Sequence, residues 1–119
     1  MLHKSRSNTA TMRRSHAPVF AALGDETRLS LVVTLSNGQP HSITQLTEGS
    51  RLTRQGITKH LHALHDAGLV RSERRSRERI WRLEPKRVDE VLRYLAQISR
   101  QWDDALSRLR ASVETSRSR

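Results

Sequence analysis

Apolar residues recur along the chain in blocks whose spacing changes from helical to alternating and back to helical. Leu29, Leu31, Val32, Val33 and Leu35 form a dense run, apolar on most sides. It predicts a buried helix, capped by Asp25 and stopped by Gly38 and Pro40. A short helix before it, from about Ala17 to Leu23, has Pro18 in its first turn and Gly24 at its end. A brief third helix is expected around Thr44–Glu48. Ser42 with Gln45 makes a capping-box pattern, and Thr44 is an alternative cap. Gly49 and Ser50 then make a turn.

The next stretch, LTRQGITKHLHALHDAGLV, is the most regular. Thr53 is a good N-cap for a helix starting at Arg54, Leu52 and Ile57 form a hydrophobic-staple pair, and Gly68 ends the helix. At ~100° per residue, Ile57, Leu61, Leu64 and Ala67 share one stripe. Gln55, Thr58, Lys59 and His62 share the opposite face, with Asp66 two turns later. Leu69–Arg75 and Arg79–Leu83 then read as two strands around a polar turn at Ser76, Arg77 and Glu78. Pro85 opens a last helix. Its apolar positions (Val88, Val91, Leu92, Leu95, Ile98, Trp102, Leu106, Leu109, Val113) repeat every three or four residues over about 39 Å at 1.5 Å per residue. Residues 1–14 show no periodicity and read as a mobile basic arm, residues 15–114 as one domain, and residues 115–119 as a tail.

Composition narrows what these elements can do. One Phe, one Tyr and two Trp leave the core to aliphatic side chains. Such a small domain stands to gain from a second subunit. The absence of cysteine excludes disulfides, zinc–thiolate sites and thiol catalysis. The N-terminal stretch has no apolar run of the secretory type, and no segment is long enough to span a bilayer. The chain is therefore expected in the cytoplasm, away from membranes.

The formal net charge is +10. It is concentrated: residues 51–82 carry nine basic and three acidic side chains. A local basic surface is the footprint of a polyanion partner. An α-helix fits the major groove of double-stranded DNA, where Gln suits adenine and Arg or Lys suits guanine. The outward face of the fourth helix has that chemistry near its N-terminus. Arginines on a projecting hairpin suit phosphates or a minor groove. The expected DNA-contacting set is Thr53, Arg54, Gln55, Thr58, Lys59 and His62 from the helix, with Arg74, Arg75, Arg77 and Arg79 from the hairpin. Trp81 reads as core. The plainer alternatives are a solvated helix face and a hairpin charged to protect its edge.

The chain resembles the ArsR/SmtB-type winged-helix regulators from about Phe20 to Leu83. The resemblance is carried by Ala22-Leu23-Gly24-Asp25-Glu26-Thr27-Arg28-Leu29, by Ile57-Thr58-Lys59-His60-Leu61 with Leu64, by Ala67-Gly68-Leu69-Val70, and by Arg77-Glu78-Arg79 with Trp81-Arg82-Leu83. It implies a mainly α fold with a small β-hairpin wing, a winged helix-turn-helix that dimerises through its first and last helices. It implies a homodimeric repressor on a palindromic operator. The expected dimer residues are Phe20, Leu95, Ile98, Trp102, Leu106 and Leu109. The chain departs from the metal-sensing members, because it has no Cys-x-Cys motif before the recognition helix and no His on the last helix. It is more similar to the cysteine-free branch, so no metal or cofactor is expected, and an inducer is left unidentified.

Of the six histidines, His62 and His65 lie three apart on one helix, a spacing that can hold a metal ion. A surface pair of this kind is ordinarily just that. No Gly-rich phosphate loop or nucleophile–base–orienter set is visible, so enzyme chemistry is not expected. A non-specific nucleic-acid binder would explain the charge but not the ordered cap and polar reading face. A purely protein-binding role would leave the basic hairpin without a purpose.

Overall fold

The computed structural model describes residues 2–117, with side chains from residue 9 onward. Met1 of the expected arm and residues 118–119 of the expected tail lie outside the described residues. Five helices and three short strands follow in the order α1 (Leu2–Leu23), α2 (Glu26–Leu35), β1 (His41–Ser42), α3 (Ile43–Glu48), α4 (Arg54–Asp66), β2 (Val70–Arg75), β3 (Glu78–Leu83) and α5 (Pro85–Arg117). The chain forms two compact units, one up to Val88 and the other from Asp89 onward. No described helix is long and apolar enough to cross a membrane.

The first unit is a helix-turn-helix on a small antiparallel sheet. Strand order is β1-β3-β2. Ser72 stands opposite Trp81 and Arg75 opposite Glu78, and β1 adds His41 opposite Trp81. The core gathers Val19 and Ala22 from α1, Leu31 and Leu35 from α2, Leu46 from α3, Ile57, Leu61 and Leu64 from α4, and Ile80 and Trp81 from β3. Trp81, only 1% exposed, is a core residue as its place in the pattern implies.

The helix ends are built from local hydrogen bonds. Asp25 caps α2 by accepting from the Arg28 amide at 3.0 Å. Ser42, not Thr44, caps α3: its hydroxyl accepts from the Gln45 amide while Gln45 Oε1 accepts from the Ser42 amide, at 3.1 and 3.0 Å. Both orphan donors of that box are thereby satisfied. At the end of α4, the Leu69 amide donates to Leu64 and the Gly68 amide to His65, with Gly68 at φ 81°. This is a Schellman closure, whose left-handed position suits glycine.

Three features depart from the sequence pattern. First, α1 begins at Leu2 rather than near Ala17, so residues 2–14 are helical and Pro18 is interior. The stretch before Pro18 has no glycine or proline and is rich in good helix formers (Leu, Lys, Arg, Ala, Met), which extend a helix without any amphipathic period. Second, α2 is not buried on most sides. Leu31 and Leu35 are buried, but Leu29 and Val33 are 48% and 66% exposed, because only one face of α2 meets α1, α4 and β3. Third, β1 is a two-residue strand too short for any period to reveal.

Candidate nucleic-acid interface

Helix α4 is presented by its buried stripe. Ile57, Leu61 and Leu64 are each fully enclosed, which fixes the helix and turns Arg54, Gln55, Lys59 and His62 outward. Thr53 is the N-cap, its hydroxyl oxygen accepting from the Gly56 amide at 3.1 Å. Thr58 is half-buried, and its hydroxyl donates to the Arg54 carbonyl at 2.7 Å, which leaves its oxygen free to accept. The two threonines thus shape the first turn as well as facing its surroundings. The His62 ring stands edge-on to Trp81, with centroids 5.7 Å apart and planes at 88°, so this exposed side chain also ties α4 to β3.

The hairpin turns through Ser76 and Arg77 alone, with Ser76 at φ 56°. Its cations fall into two groups. At the base, Arg82 pairs with Glu73 at 2.7 Å and Arg71 with Glu84 at 3.6 Å. Towards the tip, Arg79 donates to Ser72 Oγ at 2.8 Å, while Arg74, Arg75 and Arg77 are exposed and their side chains make no hydrogen bond or ion pair among the described residues. The side chains of Arg54 and Lys59 are equally unpaired among the described residues. Arg74 lies directly across the ladder from Arg79. Like charges placed opposite each other destabilise a strand pair, and an anion relieves them.

A second cluster supports α4 from behind. Arg28 donates from Nε to the Ala22 carbonyl at 2.7 Å and lies 3.3 Å from His60 Nδ1 through a terminal nitrogen. Arginine can only donate, so Nδ1 accepts and the ring proton sits on Nε2. Asp25 lies 3.8 Å from the same Nδ1, a weaker approach. The Arg28 amide holds the Asp25 carboxyl below the usual carboxylate range, helped by the charge of Arg28 and opposed by burial. Arg28 therefore joins the end of α1, the start of α2 and the middle of α4. Pattern reasoning assigns Arg28 and His60 no such role. The only signal is the Gly24-Asp25-Glu26-Thr27-Arg28 motif, which is local, whereas His60 lies 32 residues away.

His65 and Asp66 approach each other at 3.8 Å, both exposed. Among the described residues, no three His, Cys, Asp or Glu side chains come together in a way that could hold a metal ion.

A buried helix-turn-helix, an outward polar face on its second helix and a basic hairpin beside it define a winged helix-turn-helix DNA-binding protein. Comparison with known proteins agrees. Residues 23–73 match the model of a helix-turn-helix domain family. The chain is 40% identical over 68 residues to the uncharacterized HTH-type transcriptional regulator YuzN of Bacillus subtilis (strain 168), covering 52% of this chain and 74% of the relative. The structure of an ArsR-like transcriptional regulator from Rhodococcus sp. RHA1 superposes with a TM-score of 0.73 at 33% identity, covering 89% of this chain and 96% of that one. A homodimeric winged helix-turn-helix DNA-binding domain from Mycobacterium bovis shares the fold, with a TM-score of 0.62 at 20% identity over 77% of this chain and 83% of its own. The chain belongs to the ArsR family of helix-turn-helix transcriptional regulators.

Proposed function

We propose that the chain is a homodimeric repressor, acting in the cytoplasm, that reads a palindromic operator with α4 and grips the backbone with its wing. The observation that carries this reading is the division of the basic side chains. Those at the base of the wing are neutralised by acidic partners, whereas Arg54, Lys59, Arg74, Arg75 and Arg77 have none among the described residues. Gln55, Thr58 and Lys59 lie on the first turns of α4, where side chains of this fold reach base edges. Thr53, Arg54 and His62 flank them. Arg74, Arg75, Arg77 and Arg79 serve phosphates or a minor groove.

The dimer reading rests on the exposed apolar stripe of α5. Leu95, Trp102, Leu106 and Leu109 are 41%, 69%, 50% and 62% exposed, with the half-buried Ile98 between them and Phe20 on α1 at 36%. A second subunit would cover them and place two copies of α4 on successive half-sites.

Titration of a selected operator and a scrambled duplex tests the reading. A true regulator prefers the operator by ~10³ or more. Gln55→Ala is expected to weaken operator binding by ~1–3 kcal/mol and to leave scrambled-DNA binding nearly unchanged. Equal loss on both duplexes would remove Gln55 from base reading.

A further inference from the structure

A concavity of about 120 Å³ lies between the start of α4, the start of α3 and the wing. Arg54 enters it from α4, Arg77 and Arg79 from the hairpin, and Thr44 and Ile43 line it from α3. Glu78 is the one acidic side chain on its wall. Three guanidinium groups against one carboxylate leave a surplus of two positive charges. Among the described residues, the Arg54 and Arg77 side chains have no partner, and Arg79 holds only the neutral Ser72 hydroxyl. Gln55, one residue beyond Arg54, is not part of this wall.

Accepting that α4 binds the major groove and the wing lies over the adjoining minor groove, one sugar–phosphate strand must pass between them. Only that strand separates the two grooves. The concavity is where this strand would cross, and its surplus charge has the sign a phosphodiester requires. We propose that Arg54, Arg77 and Arg79 form one phosphate clamp on a single DNA phosphate. Arg54 is then a backbone contact, grouped with the wing, although it is the first residue of the reading helix. The planar fork of each guanidinium suits a phosphate, so two arginines can share its oxygens from opposite sides. Base reading begins at Gln55. This assignment depends on the DNA-binding reading above.

The test uses the full chain on a duplex enriched from a random pool and on a scrambled duplex, each at three or more salt concentrations. Arg54→Ala is expected to weaken both complexes by the same factor, roughly tenfold for a charge-assisted contact, and to leave the operator-to-scrambled ratio unchanged. Arg54→Ala, Arg77→Ala and the double variant should each lower the salt slope by no more than ~0.9, the value of one phosphate on duplex DNA. The double variant should also lose less than the product of the two single losses. Arg54→Lys should restore the slope, because the slope counts charge. Both residues are exposed, so unchanged thermal unfolding is the check on folding. A double variant that loses ~1.8 from the slope with multiplicative losses puts the arginines on separate phosphates and overturns the clamp. An Arg54→Ala effect confined to the operator makes Arg54 a base reader and overturns it as well. Failure of the wild type to enrich any sequence sinks the regulator reading instead, and the slopes on scrambled DNA still decide the clamp.

Discussion

Removing the guanidinium of Arg28 is expected to loosen the frame behind α4. Arg28 Nε donates to the Ala22 carbonyl, one of the last four of α1 and hence without a partner of its own within the helix. The terminal nitrogen reaches His60 on α4 at 3.3 Å. A hydrogen bond from a charged donor contributes ~1.5–3 kcal/mol. Arg28 is half-buried, so the lower end applies to the carbonyl bond, and the longer His60 contact adds less than ~1 kcal/mol. Arg28→Ala should therefore destabilise the fold by ~2 kcal/mol, and Arg28→Lys by more than half as much, because one ammonium cannot follow both directions of the fork. Urea unfolding followed by circular dichroism, at one fixed protein concentration, measures both. The midpoint should fall with the slope unchanged. An Arg28→Ala variant within ~0.5 kcal/mol of the wild type, the range of an ordinary surface substitution, would refute the claim that Arg28 joins the three helices.

Trp102→Glu should turn a dimer into a monomer in sedimentation at micromolar concentration, since it puts a charge in the middle of the exposed α5 stripe; a wild type that sediments as a monomer would sink the dimer reading. Gly68→Ala should cost ~1–2 kcal/mol, because φ 81° strains any side chain and the new Cβ meets Arg87 at 3.5 Å; thermal unfolding measures it, and no loss would contradict the strain argument. Asp25 has its folded-state pKa below its unfolded value, so its contribution is present above about pH 4 and disappears as pH falls through the folded value. The stability gap between wild type and Asp25→Asn should accordingly narrow on acidification below pH 4, and a gap that widens there would reverse the assigned sign.

What could be read from the chain depends on the range of the interaction that fixes each part. Helix α4 was legible because its determinants are local. Thr53 sits at the cap, Ile57, Leu61 and Leu64 follow the helical period, and Gly68 occupies the one left-handed position at its end. The wing was legible for the same reason, with its strand ends displaced by a residue. The start of α1 was not, because residues 2–14 carry helix-forming residues without an apolar period to detect. The exposure of Leu29 and Val33 was hidden too: composition shows that α2 is apolar but not which of its faces finds a neighbour. In the candidate interface, residue types and faces could be assigned from sequence. The grouping of Arg54 with Arg77 and Arg79 required the tertiary fold, because it joins positions more than twenty residues apart.

The places where this chain breaks local rules divide along a functional line. Gly68 and the helix N-caps Asp25, Ser42 and Thr53 obey the rules and hold the frame. Arg74 opposite Arg79, Ser76 at positive φ and Trp102 in the open all violate them, and they lie on the wing and α5, outside the packed helix-turn-helix. Under the proposed function two of these costs have a matching occupant: an anion would neutralise the opposed arginines, and a second subunit would cover Trp102. A ligand that binds only the folded state raises stability by mass action, by ~2.7 kcal/mol at one hundred times its dissociation constant. On that reading, binding of DNA and of a second copy would recover free energy that the isolated chain leaves unused. Ser76 is different, because no partner changes its φ. Its strain is tied to a two-residue turn that keeps Arg77 at the hairpin tip, and Ser76→Gly would relieve the strain without moving the charge.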